Sequence, residues 1–262
     1  MKASGTAADD VAIRPLTQLA EFARCVELQI AVWGYSDGDV IPRRMFTVAE
    51  RIGGQVLGAF ADGVMVGFAM GLPGYRSGMA YLHSHMLAVL PEFRNAGLGR
   101  RLKLAQREDA IERGFELMEW TFDPLEIKNA HLNLHRLGAI SRRYQEDFYG
   151  PSSSPLQGGL PTDRLYAEWW LRSPHVERML GGESVPSESV ERVHIPAAIY
   201  DWKRGSDARA AKTQTRVRGQ LLEAFGRGLT AVDYDRDAAG NGSYLLGSWM
   251  NPESARPGGG AR

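Results

Sequence analysis

Six consecutive residues, Arg94-Asn95-Ala96-Gly97-Leu98-Gly99, have the makings of an anion cradle. They follow an apolar run, Leu87-Ala88-Val89-Leu90, which Pro91 stops. They precede a helical pattern running from Gly97 to Arg113, with Gly114 as its cap. A turn that opens a helix in this way aims several unpaired backbone N–H groups at one point, where the helix dipole adds partial positive charge. Glycine lets the backbone approach a diphosphate without a Cβ in the way. Arg94, Arg100 and Arg101 add cationic character around the same point. Two other readings stand beside this one. A dinucleotide fingerprint would want a third glycine where Leu102 stands, although Asp123 falls about where its ribose-binding acid would. The glycines could also serve a tight turn and nothing more.

Ionisable residues surround this stretch. His83 and His85 are two apart on an expected strand, so they share one of its faces. His85 is the nearer to the turn and is the candidate general base, with a hydrogen-bonded structural histidine as the other reading. Glu119, on the next expected strand, is a second candidate base. Asp123 ends that strand, where it orients an amine or caps the following helix. Arg164 suits a carboxylate on a small substrate, or a surface ion pair. His131 and His135 are four apart on a helix, a spacing that can bind a metal, but no third ligand is placed by the sequence, so no metal is expected. Cys25 is the one cysteine and reads as a buried, inert thiol.

The elements that must position these groups follow from periodicity. Residues 11–17 read as a short strand and Gln18–Trp33 as a helix that Gly34 ends. A second helix is expected over 41–52. Gln55–Ala61 and Met65–Leu72 form a hairpin across Asp62-Gly63, and Met79–Val89 is a longer strand. After the glycine turn and its helix come a strand over Glu116–Phe122, a helix over Ile127–Leu137, and strands over Ala139–Tyr149 and Arg164–Leu171. Ile127, Ala130, Leu134 and Leu137 make the core-facing stripe of that helix. This order mixes hairpins with crossovers, so it implies an α/β fold of the α+β mixed kind, with helices on both faces of a mixed sheet. A linker is expected over 173–190. Beyond it, 191–250 reads as a small α/β extension: a strand over Arg192–Ile195, a helix over Asp207–Arg227 and a hairpin at Gly240-Asn241-Gly242. The tails 1–10 and 251–262 are expected to be flexible.

Composition narrows the partners. The chain has 262 residues with 31 basic and 31 acidic side chains, so no global field favours nucleic acid and any phosphate must be held locally. No apolar run approaches the roughly 20 residues that span a bilayer. With no signal core near Met1, a cytoplasmic setting is expected.

Residues Leu87 to Leu102 resemble the acyl-CoA signature of the GNAT N-acyltransferases, in which Arg or Gln is followed by two residues, Gly, any residue, and Gly or Ala. Arg94, Gly97 and Gly99 fall on that pattern, and the element order over 11–172 is similar too. The resemblance implies a mostly antiparallel twisted sheet with a splayed central strand. It implies acetyl-CoA or another acyl-CoA, such as succinyl-CoA, as co-substrate, held by Leu87, Ala88, Val89 and Arg94, Asn95, Ala96, Gly97, Leu98, Gly99 and Arg100. The backbone of Met86 to Val89 would flank the thioester, with an N–H there polarising its carbonyl. A primary amine of a small molecule, such as an amino acid, would attack directly in a ternary complex, in a pocket shaped by Glu119 to Pro124. One departure stands out. Leu134 occupies the place of the family's usual tyrosine acid and Ala139 that of a phenylalanine. Asn133, Tyr144 or water is left to protonate the thiolate, and Asn133 could instead bond the pantetheine. The alternative function is an acyl-CoA sensor without turnover. A homodimer joined through the extension is a further expectation.

Overall fold

In the computed structural model, which describes residues 11–35, 38–152, 154–183 and 190–250, the chain divides into two units. One comprises the residues up to Trp120 together with Ser152–Leu156, and the other Thr121–Pro151 together with the residues from Gln157. Both tails, expected to be flexible, lie outside the described residues.

The first unit contains β1 (Ala12–Pro15), α1 (Leu19–Trp33), α2 (Arg43–Arg51), β2 (Gln55–Ala61), β3 (Val64–Arg76), β4 (Met79–Val89), α3 (Leu98–Glu112) and the start of β5 (Leu117–Phe122). Its strands follow the order β1-β2-β3-β4-β5. All neighbours are antiparallel except β4 and β5, which are parallel. The β2–β3 hairpin turns at Asp62 and Gly63, both at positive φ, as a two-residue loop requires. Strand alternation then sorts the apolar side chains onto two faces. Val56, Met65, Phe68, Met70, Met86 and Ala88 pack with Phe22, Cys25 and Leu28 of α1 and Phe46 and Ala49 of α2. Leu57, Ala59, Val66, Ala69 and Val89 pack with Leu98 and Leu102 of α3. Helices therefore cover both faces, as the element order implied. β3 runs four residues past its expected end at Leu72, because the first half of β4 pairs with it as far as Arg76↔Met79.

The second unit holds the end of β5, α4 (Ile127–Ala130) continued by a π-helical turn over His131–Arg136, β6 (Tyr144–Gln145), β7 (Arg164–Trp170), α5 (Pro174–Leu180), β8 (Glu191–Ile195), α6 (Ile199–Arg204), α7 (Ala208–Gly226), β9 (Thr230–Arg236) and β10 (Gly242–Gly247). β6 pairs antiparallel with β7, and β8-β10-β9 form an antiparallel sheet. The strand expected over Ala139–Tyr149 contracts to two residues. Ile140 and Ser141 make only single bridges, to Glu168 and Ala231, and positive φ at Asp147 and Gly150 turns the chain away. Within the segment expected as a linker, Ser173 caps α5 through its hydroxyl, and Val176 and Met179, three apart, are buried.

The extension is fastened to residues 121–171 of its own unit. Ser141 pairs with Ala231, the Tyr244 hydroxyl donates to Pro124 O at 2.8 Å, and the Gln214 amide donates to Pro161 O at 2.9 Å. Lys203 meets Asp123 at 2.7 Å, and the Tyr200 hydroxyl donates to Glu126 at 2.7 Å. At the edge of the small sheet, Glu191 and Arg192 of β8 pair with Arg227 and Asp235, the kind of charge that keeps an edge strand from pairing with another chain.

Candidate active site

The glycine turn is open. After β4, one 3-10 turn over Pro91–Phe93 leads to Asn95 and Gly97, both left-handed, with φ 62° and 79°. The first helical bond of α3 runs from Arg101 N to Gly97 O at 3.0 Å, so the N–H groups of Leu98, Gly99 and Arg100 precede the helical ladder. A Cβ built on Gly97 would meet no heavy atom within 4 Å, and one on Gly99 only Leu87 Cδ2 at 3.7 Å. Among the described residues no side chain plugs the turn, and its donors, its dipole and the lack of a Cβ at Gly97 and Gly99 fit a diphosphate. Leu98 anchors it by burying its side chain, while Asn95, Ala96 and Gly97 are exposed. Two of the arginines do more bracing than the sequence suggested. Arg94 Nε donates to Val89 O at 3.0 Å, and Arg101 reaches Val11 O at 2.5 Å.

Beside the turn, β4 and β5 separate. They pair only at Leu82↔Met118 and His83↔Glu119, while β4 continues to Val89. This is the expected splay. Leu87 and Val89 point to the α3 face and Ala88 to the opposite one, so what β4 offers along this stretch is its backbone. A β-bulge sits at the fork: Met70 pairs with Met86 and Gly71 with Ser84, leaving His85 as the extra residue. The rings of His83 and His85 are 5.9 Å apart. Burial pushes the His85 imidazole below the ordinary histidine range, so it is neutral near pH 7 and able to accept a proton. Glu119 is fully buried and held in a fork by Arg76, with Nη1 at 2.9 Å, which ties up its carboxylate. The other side of the fork carries a buried polar cluster that the sequence reading missed. Lys103 Nζ lies 2.7 Å from Ser84 Oγ and 3.6 Å from the Trp120 ring centre, and Ser84 Oγ donates to Gln106 at 2.8 Å. Desolvation holds the Lys103 amine well below the usual lysine range.

The remaining candidates belong to the second unit. Asp123 accepts from Leu125 N at 2.8 Å and from Lys203, so it both caps a turn and carries an ion pair. Asn133 lies in the π-helical turn, 2% exposed, and its Nδ2 has no hydrogen-bond partner among the described residues. A buried donor without a partner is costly. Its neighbour Leu134 is fully buried, so the residue at the tyrosine's place serves the core. The Tyr144 hydroxyl donates to the buried carboxylate of Asp163 at 2.5 Å. Burial, with that carboxylate, pushes the phenol above the usual tyrosine range and opposes release of its proton. Arg164 donates to Asp163 O at 2.8 Å and stacks over Tyr149. His131 and His135 stack at 4.8 Å, and His135 Nδ1 meets Asp233 at 3.0 Å. Desolvation and the neighbouring His135 lower His131 to about 4. Among the described residues, no group of three or more His, Cys, Asp or Glu side chains is arranged to hold a metal ion. No helix among them is long and apolar enough to cross a membrane.

Residues 22–139 match the model of the acetyltransferase (GNAT) family. Comparison with curated protein sequences gives no match. Among solved structures, a putative GNAT-family acetyltransferase from Desulfovibrio desulfuricans is 16% identical over 62% of this chain and 99% of its own, with a TM-score of 0.50. A GNAT-family acetyltransferase from Elizabethkingia anophelis with acetyl-CoA bound is also 16% identical, over 62% and 99%, at 0.48. The ribosomal-protein-S18-alanine N-acetyltransferase from Escherichia coli is 15% identical, over 62% and 95%, at 0.49. At these identities the Desulfovibrio structure supports the fold.

Proposed function

We propose that this chain, which carries a GNAT acetyltransferase domain over residues 22–139, transfers an acyl group from acyl-CoA directly to a primary amine of a small molecule such as an amino acid. The open turn at Gly97 and Gly99, next to the splayed end of β4, is the observation that carries the reading. When bound, acetyl-CoA supplies the activated acyl group, with succinyl-CoA as the other candidate. The N–H groups of Leu98, Gly99 and Arg100 bind its diphosphate, and Arg94 braces the turn from behind. The backbone of Met86 to Val89, paired with β3 along one edge and past its pairing with β5 along the other, flanks the thioester, where an N–H polarises the carbonyl. His85, kept neutral by burial, takes the proton from the incoming ammonium. As the new C–N bond forms and the C–S bond breaks, the thiol sulfur leaves as thiolate and is protonated by water or with help from Asn133. A cytoplasmic setting, where acyl-CoA is made and used, suits this reaction.

Leu134 and the held proton of Tyr144 support a second reading, an acyl-CoA sensor without turnover. Release of free thiol from acetyl-CoA and from succinyl-CoA, followed over a panel of primary amines, separates the two. Release with one or more amines supports the transferase. Thermal protection by CoA with no release over a broad panel supports the sensor. Failure of CoA to protect the protein removes both.

A further inference from the structure

The loop joining β6 to β7 is fastened far beyond what a surface connection needs. Tyr144 OH and Asp147 N both donate to Asp163, at 2.5 and 3.1 Å. Thr162 N donates to Asp147 Oδ1 at 3.0 Å, Tyr149 N donates to Thr162 Oγ1 at 2.9 Å, and Phe148 N donates to Thr162 O at 3.0 Å. Asp147 is held at φ 41°, a conformation that costs a non-glycine residue and persists only where its surroundings impose it. What this framework displays is apolar. Phe148 is 38% exposed and Tyr149 51%, their rings crossed edge to face at 4.5 Å. Thr121 Oγ1 fixes the Tyr149 hydroxyl at 3.2 Å.

Charge picks out one neighbour. Arg142 and Arg143 are both paired with Glu168, and Arg218 with Asp163. Arg164, 5.3 Å from the Tyr149 ring centre, has no carboxylate partner among the described residues and spends one donor on a backbone carbonyl. Four of its five N–H donors remain, in a fork that matches a carboxylate. One uncompensated cation suits a monoanion better than a phosphate dianion.

We propose that this platform binds a small molecule that carries a carboxylate and a flat ring. The carboxylate sits on the Arg164 fork and the ring lies against Phe148 and Tyr149. The ligand's chemistry rests on the platform alone.

The test is titration calorimetry of the full chain using L-phenylalanine and L-phenylalaninamide. Wild type should bind the acid about tenfold more tightly than the amide, or better, as a charge-assisted bond predicts. Arg164→Met should erase that preference and leave amide binding as it was, while Arg164→Lys, which restores the charge without the fork, should recover part of it. Tyr149→Ala should weaken both ligands. Equal binding of acid and amide by the wild type, or an Arg164→Met loss shared equally by both, overturns the platform. Absence of binding by either ligand overturns it as well.

Discussion

Arg218 grips Asp163 with two guanidinium nitrogens, Nε at 2.9 Å from Oδ2 and Nη2 at 3.0 Å from Oδ1. Asp163 is fully buried, and its four acceptor contacts come from Arg218, Tyr144 and Asp147. A carboxylate so placed is tolerable only while its partners remain.

Arg218→Met should therefore cost about 3–5 kcal/mol in denaturant unfolding, the usual penalty for orphaning one member of a buried pair. Adding Asp163→Asn to it should recover part of that loss. A single-variant loss under about 1 kcal/mol would show that the pair behaves like a surface bridge.

Gly97→Val tests the cradle. A β-branched residue at φ 79° costs roughly 1–2 kcal/mol, but its side chain enters open space and clashes with nothing. The variant should fold, melt a few degrees lower, and lose the thermal protection that CoA gives wild type. Undiminished protection would move the diphosphate elsewhere.

His85 sets a pH dependence. Its folded pKa is lowered by burial, so the neutral base is present above that value and lost as pH falls through it. The kcat/KM for an amine should rise with pH and level off below about 6.5, the ordinary histidine value, apart from any limb due to the amine itself. His85→Gln should flatten the acid limb and cost on the order of 10²–10⁴ in rate. An unchanged profile in that variant removes His85 from the proton transfer.

Lys103 sets a stability dependence of its own. Its pKa is lowered in the folded state, so between the folded and unfolded values the unfolded chain binds the extra proton. Wild-type stability should therefore carry a component that rises with pH up to about 10.4, the unfolded lysine value. Lys103→Met should remove that slope and be the more stable protein at neutral pH, as apolar replacement of a buried charge often is. Equal slopes in the two proteins would show that Lys103 keeps its charge at low cost against Trp120.

Burial pushes the Cys25 thiol up to about 12, with Glu21 adding to the effect, and Cys25 is the only cysteine. A thiol-specific chromogenic reagent at pH 8 should report no protein thiol until the chain is denatured, leaving released CoA as the sole signal in the transfer assay. Rapid labelling of native protein would show that α1 opens.

The sequence was most legible where one local rule decided the outcome. Asp62-Gly63 made its hairpin, Gly34 ended α1, Pro91 stopped β4, and the two glycines opened α3 at the expected place. The bulge at His85 was not legible, because nothing in His83-Ser84-His85-Met86 distinguishes an inserted residue from an ordinary strand. Lys103 falls within a helix whose arginines, Arg100, Arg101 and Arg107, are only partly buried, and only the packing of Ser84 and Trp120 makes it buried. Asp163 was visible as a charge beside Arg164, but its partner lies 55 residues later on α7. Long-range polar pairing of that kind leaves no periodic trace.

The ties from α6, α7, β9 and β10 back to Asp123, Glu126, Ser141, Asp163 and Pro124 have a genetic consequence. A gene shortened to end near Leu171 would encode carboxylates and bridges with nothing to meet them. Such a product should be less stable than the full chain, because Asp123, Glu126 and Asp163 lose the side chains that satisfy them.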